Sequence, residues 1–253
     1  MNHVPSTQLL LIEREKEVTG YVEFLLVAAE RPSAISANDG EKILPLSLEL
    51  IHTLKSNMLL LLYSAMEASL VQLLDEMHDA IDSNCDSADR LNSELLRLVL
   101  KTFQKDAKGH ALNTNSPLHQ GLFQHWIQDW QGRASAKDKR GDGISGSVDG
   151  LVFYKQLRKF GVVAKTQDDK APTHLTHNAL QRIKNNRNAL AHGETSFTDL
   201  GRQLSVQELE ADAGAVFSTL RQIAIEVNNY LEGRRYLATP PAYAGVDSPG
   251  SDA

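Results

Sequence analysis

Apolar residues recur with a helical period along nearly the whole chain. Residues 8–30 (QLLLIEREKEVTGYVEFLLVAAE) predict a first helix that stops at Pro32, followed by a Ser/Ala/Asn/Asp/Gly loop over 33–46. Ser47 is placed to N-cap a long second helix reaching about Asp82. Its stripe of Ile51, Leu54, Met58, Leu61/Leu62, Ala65, Ser69, Leu73 and Met77 follows one helix face. Over 58–62 the chain is apolar on every side, which predicts the centre of a bundle. Further helices are expected at 89–104 and 117–131. The stretch 132–150 (GRASAKDKRGDGISGSVDG) reads as a flexible connection, with a short helix near 151–160 after it. A helix over about 174–192 ends at Gly193. Ser205-Val206-Gln207-Glu208 has the S-x-x-E form of a capping box and starts a last helix to about Glu232. No internal repeat is present. The pattern predicts one all-α domain over 1–237, with a loop-rich helical insertion forming a small lobe at about 105–165. The tail 238–253 carries three prolines and is expected to be disordered.

Composition narrows the function classes. The net charge is −6 and the sequence pI about 5.8, so a polyanion partner must meet a local basic patch on an acidic body. The single cysteine, Cys85, excludes a disulfide scaffold and points to a reducing, cytoplasmic setting. The apolar run Met58 to Leu62 is far short of the roughly 20 residues of a membrane span, and the N-terminus lacks the pattern of a signal peptide. There is no P-loop, no G-x-G-x-x-G after a strand and no G-x-S-x-G, which argues against ATP-driven and dinucleotide chemistry. His110, His119, His125, His174 and His177 form no ligand set with Cys85 or a carboxylate, so no metal or cofactor is expected.

The segment 178–193, NALQRIKNNRNALAHG, places a permanent cation where the pattern asks for an apolar residue. Arg187 falls about 20° from Leu180 in helical projection, on the stripe of Leu180, Ile183 and Leu190. Such a cation must find an anion, a partner chain or a ligand. His192 follows in the last turn and is the residue type of acid–base chemistry at neutral pH. On an ideal helix the two lie about 140° apart, so either the helix unwinds at Gly193 or two chains complete one site. The bare spacing Arg-x4-His arises by chance about once in two chains of this composition, so its context carries the weight.

That context resembles the signature of the HEPN superfamily (higher eukaryotes and prokaryotes nucleotide-binding). The likeness extends to the helix 54–70 with Tyr63 and Glu67, the turn 144–150 (ISGSVDG) with its short helix and Phe160-Gly161, and 187–202 leading to Asn229-Tyr230-Leu231. Ser147-Val148 stands where Asn-Val is the family pattern. The resemblance covers most of 50–237 and implies a metal-independent endoribonuclease of the toxin or antiviral-defence type. In such enzymes the RNA 2′-hydroxyl attacks its neighbouring phosphorus and leaves a 2′,3′-cyclic phosphate. It implies His192 as general base or acid, Arg187 stabilising the phosphorane, and Asn188 orienting the pair or binding a phosphate oxygen. It also implies a homodimer with a composite site and a restraining partner protein, such as an antitoxin. In some relatives the restraint is nucleotidylation of a tyrosine two residues after the histidine; Glu194 occupies that place here.

Glu67 lies on the face of Leu60, Tyr63, Leu70 and Leu74. It is expected to approach Arg187, as a structural counter-charge or as an acid that positions the site. Arg182 and Lys184 beside the motif, and Lys137, Lys139 and Arg140 in the loop, are the candidate RNA contacts. The alternative is a HEPN-like binding or assembly module that regulates a partner or holds nucleic acid without cleaving it.

Overall fold

A long central helix organises the chain because its sequence is apolar all round. The structure, a computed structural model, describes residues 6–30, 35–36, 43–44, 46–99, 147–163 and 171–238. Helix α1 spans Ser6–Glu30 and α2 spans Leu48–Asn84, with the Ser47 hydroxyl capping α2 through the Leu50 N–H. Within α2, Met58, Leu59, Leu62, Met66 and Leu70 are fully buried, while Leu60 and Leu61 are partly buried against the same core. By length and composition α2 is apolar enough to cross a membrane, which the run of 58–62 alone does not suggest. More than half of that stretch is buried against other helices, as in the core helix of a bundle.

The remaining described elements wrap α2. A helical stretch over 93–99 is followed by α3, Gly150–Phe160, by α4, Asn178–Ala191, by the short α5, Phe197–Arg202, and by α6, Val206–Glu232. Helices α1, α4, α5 and α6 all pack on α2. Ser205 and Glu208 form the expected capping box at the start of α6. The fold is all-α apart from a minimal antiparallel pairing of Ile35 with Leu44 and Ser36 with Ile43, inside the region expected to be loop.

Three boundaries differ from the periodicity. The helix expected from 89 opens as a 3-10 turn, Ala88–Arg90, and becomes α-helical only at 93. Tertiary pairing recruits the intervening residues: Leu91 bridges to Leu237, and Asn92 N donates to the Tyr236 carbonyl at 2.8 Å. The motif helix begins at Asn178 rather than 174, because residues 173–176 form a separate 3-10 turn and His177 Nδ1 accepts the Ala179 N–H. Helix α5 was not expected as a separate element; six residues are too few to show a period. Its anchor is polar, with Ser56 Oγ donating to the Phe197 carbonyl at 2.6 Å. The expected helix at 117–131, most of the lobe at about 105–165 and the tail from 239 lie outside the described residues.

Candidate functional site

The motif helix α4 buries Ala179, Leu180, Ile183 and Leu190, so Arg187 is carried to the core face on which the stripe places it. There its guanidinium carbon lies 4.6 Å from the centre of the Tyr63 ring on α2. Arg187 Nη1 also donates to Asn188 Oδ1 at 3.2 Å. Asn188 Nδ2 donates in turn to Ser147 Oγ at 3.0 Å, which ties the motif to the turn before α3.

That turn is held residue by residue. Ser147 is bound by Asn188. The Val148 N–H donates to the Tyr63 hydroxyl at 3.0 Å, with Val148 itself fully buried. Asp149 accepts from Lys184 Nζ at 2.6 Å and, through its other oxygen, from the Val152 N–H at 2.9 Å, so it is both an ion-pair partner and the N-cap of α3. Lys184 and Asn188 are four residues apart on one face of α4, which is why one turn can meet both. Gly150 allows the approach on the far side, since a Cβ there would sit 1.5 Å from the Leu175 carbonyl oxygen.

Helix α4 stays regular through His192, which retains right-handed helical angles and donates its N–H to the Asn188 carbonyl at 2.9 Å. Gly193 then turns left-handed at φ 72°. The Glu194 N–H reaches the Ala189 carbonyl and the Gly193 N–H that of Leu190, the two bonds of a Schellman cap. The His192 side chain is exposed. The sequence left open an end of the helix at Gly193 or a site completed by two chains; the helix does end there, with Gly193 turning left-handed directly after the C-cap His192. On ideal helical geometry Arg187 and His192 leave α4 about 140° apart.

The expected counter-charge is corrected. No ion pair joins Glu67 to Arg187 among the described residues; the guanidinium sits over Tyr63, one turn earlier on α2, and Glu67 is half-buried. The two cations beside the motif are matched elsewhere. Arg182 forms a two-pronged bond with Asp212 of α6, whose side chain is 4% exposed, with Nε to Oδ2 at 3.1 Å and Nη2 to Oδ1. Lys184 meets the equally buried Asp149. The local excess of positive charge read from the sequence is thus largely compensated by carboxylates that only the fold brings near. Lys137, Lys139 and Arg140 lie outside the described residues, as do His110, His119 and His125. His177 caps α4, and His174 Nε2 lies 3.5 Å from Glu226.

Tyr63, Ser147 and Asp149 were not assigned site roles from sequence. Asp149 directly before a helix start carries an N-cap signal, and Ser147 is the position that departs from the family pattern. Tyr63 was marked in the sequence only through the family likeness of the helix 54–70, which gave it no role.

A family model described as HEPN_MAE_28990-like HEPN matches residues 10–236 of the chain. No curated protein and no solved structure gave a match.

Proposed function

The chain belongs to the HEPN_MAE_28990-like HEPN family, and from that membership we propose that it is a metal-independent endoribonuclease acting as a toxin or antiviral-defence effector. The observation that carries this reading is the presentation of Arg187 and Asn188 as one hydrogen-bonded unit, with an exposed His192 at the capped end of the same helix. A fixed guanidinium is suited to the charge that builds on a pentacoordinate phosphate, and an accessible imidazole to proton transfer.

The RNA 2′-hydroxyl loses its proton to an imidazole and attacks the adjacent phosphorus. The P–O5′ bond breaks, and the leaving 5′-oxygen takes a proton from an imidazolium. The nucleophile is tethered one bond from its ribose, so proximity supplies much of the rate and no metal-bound water is needed. The divergence of Arg187 and His192 supports a homodimeric composite site, in which two copies of α4 supply both residues and the two His192 side chains serve as base and acid. Lys137, Lys139 and Arg140 serve as RNA contacts in this reading. Arg182 and Lys184 contribute mainly by holding Asp212 and Asp149 in place. Such an activity in the cytoplasm calls for a restraining partner protein.

The test is cleavage of bulk tRNA and messenger RNA in EDTA, comparing the wild type with His192→Ala and monitoring the dimer by sedimentation. Cyclic-phosphate ends from the wild type alone are expected. No cleavage by either folded dimer would favour the binding-module reading, and equal cleavage would remove His192 from the chemistry.

A further inference from the structure

The hydrogen bond between Arg187 and Asn188 joins neighbours that a helix sets apart. Consecutive residues leave an α-helix about 100° from one another, so their side chains do not face each other. Arg187 Nη1 nevertheless reaches Asn188 Oδ1 at 3.2 Å. The Asn188 side chain also meets a group outside the helix, Ser147 of the turn before α3.

The Asn188 amide has two unlike ends on a terminal torsion that is broad and roughly two-fold, so rotation alone does not choose between them. A guanidinium only donates. It therefore requires the amide oxygen on its own side, and the amide nitrogen is left to find an acceptor. Ser147 supplies one: its Oγ accepts from Nδ2 at 3.0 Å and lies 3.3 Å from Oδ1, across the amide. The next two residues hold Ser147 in place. The Val148 N–H is bound to the Tyr63 hydroxyl, and Asp149 is bound to Lys184, one turn before Asn188. The brace acts on the amide, so it does not require an open edge on the guanidinium.

We infer that Ser147 is a positioning residue of the motif, holding the Asn188 amide in the plane and sense in which Oδ1 meets Arg187. What the braced pair acts on rests on the ribonuclease reading; the brace itself does not. Neither the Arg-x4-His spacing nor the family match assigns Ser147 a role.

The brace needs the hydroxyl rather than the size of the side chain, so the experiment compares Ser147→Ala with Ser147→Thr. Ser147→Val, which has the shape of threonine, stands in if the alanine variant does not fold. In single-turnover cleavage at saturating enzyme, the rate constant should fall about tenfold in Ser147→Ala, with half-saturation within about twofold, and stay within about threefold of wild type in Ser147→Thr. Because Ser147 acts through the amide, Ser147→Ala made in the Asn188→Ala background should cost less than about twofold. In 15N-asparagine-labelled protein, the Asn188 side-chain NH2 pair, assigned by its loss in Asn188→Asp, should shift in Ser147→Ala and keep its place in Ser147→Thr. Equal losses in the alanine and threonine variants, an undiminished rate in Ser147→Ala, or the same loss with and without Asn188 would overturn the inference. If the wild type cleaves no RNA, the ribonuclease reading fails and the NH2 pair alone decides the brace. A pair unmoved in Ser147→Ala, or moved equally in both variants, overturns it; a pair moved in Ser147→Ala and kept in Ser147→Thr sustains it.

Discussion

Replacing Lys184 by methionine separates its two roles, surface cation for RNA and partner of a buried carboxylate. The Asp149 side chain is 5% exposed and that of Lys184 22% exposed, with 2.6 Å between Nζ and Oδ2. Lys184→Met keeps most of the apolar stem and removes only the charge, stranding a carboxylate that retains a single N–H bond from Val152. Breaking a buried pair from one side costs about 3–5 kcal/mol, and the partial exposure of the lysine together with the surviving cap bond argues for the lower end, about 3 kcal/mol. For a chain of this size that is a fall in Tm of about 6–12 °C. The assay is thermal and urea unfolding of the four proteins of a double-mutant cycle, with Asp149→Asn as the second change. Asparagine still caps α3 but carries no charge, so Asp149→Asn made in the Lys184→Met background should recover at least about half of the loss. A Lys184→Met cost below about 1 kcal/mol, or strict additivity of the two changes, would refute the buried-pair reasoning and return Lys184 to the free basic surface.

Two further outcomes follow from the geometry. Gly193 adopts φ 72° with nothing within 4 Å of where a Cβ would lie, so Gly193→Ala should cost about 1 kcal/mol through backbone conformation alone, read as a lower urea midpoint. A variant as stable as wild type would mean that the helix does not end in a left-handed turn. His78 is buried edge-on against Phe160, and burial pushes its imidazole down to about 3. The folded state thus keeps it neutral where the unfolded chain takes up a proton. Its contribution is intact above the model-peptide value of 6.5 and is lost as pH falls towards 3, at about 1.4 kcal/mol per pH unit. Urea unfolding at about pH 7 and about pH 5 should differ by about 2 kcal/mol more for wild type than for His78→Leu; parallel pH profiles would contradict this.

What the sequence determined alone was whatever depends on neighbours along the chain. Period and capping residues located α1, α2, α3, α4 and α6 to within a few residues, because Ser47 and the Ser205–Glu208 box act on backbone groups one turn away. The same locality placed Arg187 on the buried face of its helix and brought Gly193 to its end. The identities of the partners were decided by tertiary structure. Tyr63, Asp149 and Asp212 are separated from the motif by 124, 35 and 30 positions, taking Tyr63 to Arg187, Asp149 to Lys184 and Asp212 to Arg182. No periodic pattern couples residues at such separations, so a count of local charge made Arg182 and Lys184 look like open basic surface. It also pointed Arg187 towards Glu67, four residues on the C-terminal side of Tyr63, whose ring the guanidinium meets. A cation's apolar position in a sequence says that it needs a partner. Only the packing of α4 on α2 decides which residues meet it.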